Sequence, residues 1–283
     1  MKRKWHWHKG QSNNNNNNNS DSYKIDNNNS SFGKPSYTEP EIIVPLHKRL
    51  GAELIGTFAL VFTAVGSDMS DTLYGHALGK LAVAAAPGLV IMAMIYGLDR
   101  ISGAYFNPAI SIGFSISRHL KVKDLPLYIL VQIIGSILAS AVAIVAIGYS
   151  NTAAGHAGLT IPLGKGGWIQ SFVLEIVLTF FLMFVSISVK EDKDILGYKK
   201  FGGTAIGATI ILAGIIGIQV SGASMNPARS FGPALILAGD GSGLSYNWIY
   251  WVAPIIGSIL AVYSFKMVKT SEFFTSINNN NKR

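Results

Sequence analysis

The sequence predicts an all-α membrane protein, with six transmembrane helices plus two re-entrant half-helices arranged as an inverted repeat. Three observations carry this. The 283 residues are 49% hydrophobic and only 13% charged, about half the charged share of an ordinary soluble domain. Apolar segments of bilayer length recur along the chain. Finally, Ser102-Gly103-Ala104-Tyr105-Phe106-Asn107-Pro108-Ala109 and Ser221-Gly222-Ala223-Ser224-Met225-Asn226-Pro227-Ala228 share the pattern S-G-A-x-x-N-P-A. In each, an Asn suited to capping a helix precedes a Pro suited to its first position, so a helix start lies inside hydrophobic sequence.

The first 45 residues read as a disordered cytoplasmic tail. The Asn runs 13–19 and 27–29 leave too little apolar surface to offset the entropy of ordering. No apolar core for a secretory signal is present, and His6 and His8 lack a third metal ligand nearby. A helix needs about 20 residues to cross about 30 Å of hydrocarbon. Six segments qualify, near 49–68, 79–98, 126–149, 168–189, 202–220 and 247–268. The apolar stretches 107–116 and 226–237 are half that length and cannot span alone. Two half-helices meeting start to start would complete one crossing. This gives a channel-type domain over 46–269 and a second disordered cytoplasmic tail over 270–283.

The repeat extends beyond the triplets. Glu53 and Thr57 recur as Glu175 and Thr179, 122 residues later; the heptapeptide Ile133–Ala139 recurs unchanged at Ile255–Ala261, again 122 later. The Asn-Pro-Ala triplets themselves lie 119 apart. The chain is therefore two copies of a three-span unit, about 48–150 and 168–268, and an odd span number places the copies in opposite orientations. Lys and Arg cluster before span one, between spans two and three, between four and five, and after six. By the positive-inside rule both termini are cytoplasmic. That bunching leaves no basic face for nucleic acid, despite the net charge of +8. The chain has no Cys, so thiol chemistry, thiolate metal sites and disulfides are excluded, and no cofactor is expected.

If Asn107 and Asn226 cap their half-helices, each side-chain oxygen accepts from its own helix and each amide NH2 is free. Both donor groups then face one point at the midplane. A water there accepts from both, so its hydrogens point away to either side and relay no proton along a file. The two helix starts add roughly half a positive charge each, a field that opposes hydronium and metal cations. Arg229, in the first turn of the second half-helix, is a costly intramembrane charge and a functional candidate. Glu53 and Glu175 read as acceptors for backbone N–H groups of the re-entrant loops, and Gln132 as an interhelical bridge. Gly51, Gly56, Gly135 and Gly257 read as close-packing positions.

Doubled Asn-Pro-Ala, Asn107-Pro108-Ala109 and Asn226-Pro227-Ala228, with Arg229 directly after the second, resembles the aquaporin, or major intrinsic protein, family over about residues 48–268. The resemblance implies one pore per subunit, a homotetramer in a lipid bilayer, and passive passage of water or small neutral solutes without reaction chemistry. It assigns Arg229 to a narrow outer filter, with Pro87, Gly214 and Ala223 at the remaining filter positions. Water-specific members usually carry an aromatic and a His at the first two, and this chain has neither. Ser230, Ala234, Tyr250 and Trp251 nevertheless match water channels rather than glycerol facilitators. A glycerol- or urea-passing channel therefore stays open as an alternative, as does a closed or junctional protein of the same fold. A coupled transporter lacks its acid cluster. Ile195, Leu196 and Tyr198, apolar residues in a charged cytoplasmic connection, are candidates for a gate over the pore mouth. Both a plasma membrane and an intracellular vacuole membrane suit this reading.

Overall fold

The computed structural model describes residues 44–148, 158–191, 201–236 and 242–269. Among them are nine helices: α1 (Leu46–Leu73), α2 (Gly79–Ser102), α3 (Pro108–Ile116), α4 (Leu125–Ile147), α5 (Gly167–Glu191), α6 (Gly202–Gly217), α7 (Pro227–Ile236), a single turn α8 (Ser242–Ser245) and α9 (Asn247–Val268). Five of these are long and apolar enough to cross a membrane. The sixth crossing, α6, has 16 residues, about 24 Å at 1.5 Å per residue, and its chain continues through a turn to Ser221. The half-helices α3 and α7 have 9 and 10 residues. The tails and the connection holding Ile195, Leu196 and Tyr198 lie outside the described residues.

The two repeats correspond as α1/α5, α2/α6, α3/α7 and α4/α9. The packing follows the same symmetry: α1 lies on α4 as α5 lies on α9, and α2 and α6 meet across the centre. The half-helices are exchanged between repeats. α3 packs chiefly against α9, and α7 against α4. The heptapeptide repeat explains the exchange, because Ser258 Oγ donates to the Ala109 carbonyl at 2.7 Å and Ser136 Oγ to the Ala228 carbonyl. Each repeat thereby holds the other's half-helix, so neither copy is self-sufficient.

α1 runs five residues beyond the expected end, because Asp68 and Asp71 are accommodated on the helix. Asp71, fully buried, accepts from the Leu78 and Gly79 N–H groups at 3.1 and 2.8 Å and from His76 Nδ1 at 3.1 Å. At the same end, Trp168 and Trp248 lie 5.6 Å apart by ring centroid and are half-exposed, as expected of aromatic side chains at a membrane interface.

Three of the four expected close-packing glycines do meet neighbours. A Cβ on Gly135 would lie 2.7 Å from the Leu54 carbonyl, one on Gly257 would collide with the Ile176 carbonyl, and one on Gly56 would collide with the Phe106 ring. Gly51 does not: it is exposed with nothing near it, because its face of α1 turns outward. A further close helix contact, not anticipated, lies between α2 and α6. A Cβ on Gly88 would lie 2.5 Å from the Gly207 carbonyl, and one on Gly207 2.7 Å from the Gly88 carbonyl. Replacing either Gly88 or Gly207 with Ala should therefore cost about 1–3 kcal/mol through overpacking. Thermal melting in detergent checks this, with Gly51→Ala expected to melt like the parent.

Candidate functional site

The site is built from two loops whose backbones are strained in the same way. Gly103, Ala104 and Phe106 have φ of 96°, 52° and 52°; Gly222, Ala223 and Met225 have 79°, 46° and 52°. Left-handed geometry at a non-glycine residue costs on the order of 1–3 kcal/mol and persists only where its surroundings impose it. Here it turns successive N–H groups to one side, where a carboxylate waits. Glu53 Oε1 accepts from the Ser102 hydroxyl at 2.7 Å and the Tyr105 N–H at 3.0 Å, and Oε2 from the Phe106 N–H at 2.7 Å. Glu175 repeats this with the Ser221 hydroxyl, Ser224 N–H and Met225 N–H at 2.7, 2.8 and 2.6 Å. Both glutamates are fully buried. The Tyr128 and Tyr250 hydroxyls donate to the Ser102 and Ser221 carbonyls at 3.0 and 2.7 Å. Gln132 belongs to one half only, donating through Nε2 to Glu53 at 2.8 Å and Ser111 at 2.9 Å; its Oε1 has no partner among the described residues. Its counterpart by the 122-residue offset is Pro254.

Each loop delivers its Asn to a helix start. Asn107 Oδ1 accepts from the Ala109 N–H at 2.9 Å, and Asn226 Oδ1 from the Ala228 N–H at 3.0 Å. Their amides are not wholly free, which corrects the sequence-based expectation. Asn107 Nδ2 donates to the Met225 carbonyl at 2.7 Å and Asn226 Nδ2 to the Phe106 carbonyl at 2.9 Å, so each Asn braces the opposite loop. An amide nitrogen carries two protons, which leaves one donor on each Asn. The reason is geometric: two helix starts close enough to share a point also bring each Asn within reach of the other loop's carbonyl.

A cavity of about 1030 Å³ runs past this point. Asp68, Thr72 and Lys80 line one end, Asn107 and Asn226 the middle, and Asp99, Arg100 and Lys190 the other end. Pro87, Gly214, Ala223 and Arg229 all line it together. Gly214 nevertheless needs a correction as a position for a side chain. A Cβ there would lie 2.7 Å from the Ala84 carbonyl, so it faces α2 and cannot be enlarged into the lumen without moving α2 against α6. Ala223 and Pro87 are half-buried and short, and Arg229 is the long side chain of the four, its Nη1 donating to the Gly158 carbonyl at 2.8 Å. Ser230, Ala234, Tyr250 and Trp251 are absent from the lining. They act in packing: Ser230 pairs with Thr160 at 2.6 Å, and Trp251 Nε1 donates to Asn247 at 3.0 Å. Tyr105 lines the cavity but stacks on Phe114, with ring centroids 4.6 Å apart.

Ion pairs mark both ends. Lys80 meets Asp68 at 3.1 Å, and Lys190 meets Asp99 at 2.8 Å. Beside the second, Glu191 pairs with Lys269 and with His119, tying α5, α9 and the turn after α3 together. Burial holds the His119 imidazole below its usual pKa; Glu191 opposes this, and Lys190 and Lys269 reinforce it. Among the described residues no cluster of three His, Cys, Asp or Glu side chains is placed to hold a metal ion. The Asp68–Lys80 pair was not anticipated. The signal in the sequence was two acids three apart, Asp68 and Asp71, at the end of an otherwise apolar span.

Comparison with known proteins gives a consistent result. Residues 43–265 match the family described as major intrinsic protein. The chain is 38% identical over 232 residues to nodulin-26 of Glycine max, covering 82% of this chain and 81% of that one. It is 37% identical over 233 residues to aquaporin NIP1-2 of Arabidopsis thaliana, covering 82% and 77%. Among solved structures it is similar to the aquaglyceroporin from Plasmodium falciparum, with a TM-score of 0.71, 24% identity, and coverage of 80% of this chain and 98% of that one.

Removing one of the two carboxylates tests the construction of the site. Glu175→Ala leaves the Ser224 and Met225 N–H groups and the Ser221 hydroxyl without their acceptor, at about 1–3 kcal/mol for each buried unsatisfied group. The variant should melt well below the parent in detergent and lose osmotic water flux after reconstitution.

Proposed function

Because the chain belongs to the major intrinsic protein family, we propose that its cavity is a pore for water and small neutral solutes that excludes ions and protons. The observation that carries the reading is the lumen past Asn107 and Asn226, which both line it at the starts of two half-helices, each amide keeping one proton beyond its bond to the opposite loop. A water held there accepts from both sides and has no hydrogen directed along the file. The dipoles of α3 and α7 oppose cations, and Arg229 adds a full charge nearby. Pore width and the spacing of lining donors decide which solutes pass. With Pro87, Gly214 and Ala223 short, Arg229 narrows the outer part almost alone, which favours glycerol or urea passing beside water. The name of one relative, aquaporin NIP1-2, agrees with a channel, and that of the structural neighbour, an aquaglyceroporin, agrees with one open to more than water.

In this reading residues 46–269 form the channel, as a homotetramer, with residues 1–45 and 270–283 on the cytoplasmic side. Supporting that orientation, Arg49, Arg100, Lys190 and Lys269 gather at one end, and Lys80 and Lys165 belong to the other. Regulation through Ile195, Leu196 and Tyr198 rests on sequence alone, and deleting 195–198 should raise water flux per channel if they occlude it.

Swelling of proteoliposomes in water, glycerol and urea gradients tests the proposal. The parent should pass water and at least one of the two solutes, with proton and sodium flux at the level of empty vesicles. Arg229→Val should raise the glycerol-to-water ratio and admit cations while still folding. A parent that passes water and neither solute would refute the wide-filter reading, and no flux at all would favour the closed, junctional alternative.

A further inference from the structure

We propose that Asp68 is a positioning residue for solute selection, setting where the Arg229 guanidinium sits by way of Gly158. The proposal rests on the reading of Arg229 as the side chain that narrows the outer part of the lumen. Asp68 Oδ2 accepts from the Gly158 N–H at 2.8 Å, and the Gly158 carbonyl accepts from Arg229 Nη1 at 2.8 Å. Asp68 Oδ1 accepts from Lys80 Nζ at 3.1 Å. One chain of bonds therefore joins α2, α1, the segment before α5, and α7.

Gly158 is the part that makes the relay work. Its φ of 82° is open to glycine at little cost, and it presents its N–H to α1 and its carbonyl to α7. An arginine side chain has many rotamers, and the lumen left beside it depends on which one is held. The Gly158 carbonyl holds it, and Asp68 fixes that carbonyl's residue. Asp68, Lys80 and Arg229 all line the cavity, and the Asp68 side chain is 20% exposed. The acid close by on α1, Asp71, cannot substitute, since it is committed to the Leu78 and Gly79 N–H groups and His76. Nor does the internal repeat require Asp68: the residue 122 positions later is Lys190. The arrangement is particular to the outer mouth.

The charges also balance sensibly. Lys80 pairs with Asp68 at 3.1 Å and lies 3.9 Å from Asp71, so the charge of Asp68 is partly offset on the side away from Arg229. Other bonds keep the segment in place when Asp68 is removed. Thr160 bonds to Ser230 at 2.6 Å, and the Leu163 N–H to the Val220 carbonyl at 2.9 Å. Loss of Asp68 should therefore shift Arg229 rather than unfold the mouth.

The test measures water and glycerol permeability of the full-length protein in proteoliposomes, with melting temperature as a control. Asp68→Ala should raise the glycerol-to-water ratio about tenfold, which corresponds to about 1.4 kcal/mol. Asp68→Asn keeps an acceptor for Gly158 and should restore the parent ratio. Asp68→Glu keeps the charge but displaces the acceptor by one methylene, so it should shift the ratio even if the Ala variant fails to fold. In an Arg229→Val background Asp68→Ala should have no further effect, because a residue acting through another is non-additive with it. An unchanged ratio in Asp68→Ala and Asp68→Glu, while Arg229→Val changes it, overturns the role of Asp68 and leaves that of Arg229 standing. Additive effects of Asp68→Ala and Arg229→Val overturn it as well. An unchanged ratio in Arg229→Val removes the reading of Arg229 and this proposal with it.

Discussion

A carboxylate buried in a hydrocarbon slab survives only where hydrogen-bond donors surround it, and the whole centre of this molecule depends on two such groups. Glu53 and Glu175 each take two backbone N–H groups and a serine hydroxyl from a loop that would otherwise have no reason to hold its conformation. The exchange is mutual. The loops supply the donors the carboxylates need, and the carboxylates make left-handed geometry at Ala104, Phe106, Ala223 and Met225 tolerable. Without both partners, no half-helix would begin at mid-depth in the bundle.

The rest of the construction follows from where those loops end. Each leaves an Asn at the start of a short helix, and each Asn spends one proton on the other loop's carbonyl. The serines of the repeated heptapeptide then bind each half-helix to the opposite repeat. These crossed contacts make the midplane the most over-determined part of the fold. At the mouth beside Asp68 and Lys80 the two repeats differ, since Lys190 stands at the position that corresponds to Asp68. The middle of the lumen is thus fixed by symmetry, and the end beside Asp68 and Arg229 by residues that the repeat does not share.

Much of this was legible in the sequence, and the pattern of what was not is physical. The spans, the half-helices and the inversion could be read because apolar length and a repeated offset are properties of the chain itself. That Glu53 and Glu175 were partners in symmetry was visible in their shared offset of 122. What each contact needs from a second segment was hidden. The crossed amide bonds depend on how closely two distant loops approach, and the direction of Gly214 depends on the approach of α6 to α2. The first span was expected to end near residue 68, but α1 runs to Leu73, because partners on α2, at the mouth and at Gly158 keep Asp68 and Asp71 on the helix. Gly51 was misread because its spacing resembled a packing position while its face of the helix points outward.

The central claim is that two buried carboxylates hold strained loops rigidly beside an open lumen. Hydrogen–deuterium exchange of the Tyr105, Phe106, Ser224 and Met225 amides in the reconstituted protein addresses it most directly. The account predicts exchange as slow as in the middle of α1 and α5, despite the neighbouring cavity, since all four N–H groups are committed to Glu53 and Glu175. Exchange as fast as at the exposed helix ends, in a protein that still conducts water, would contradict it.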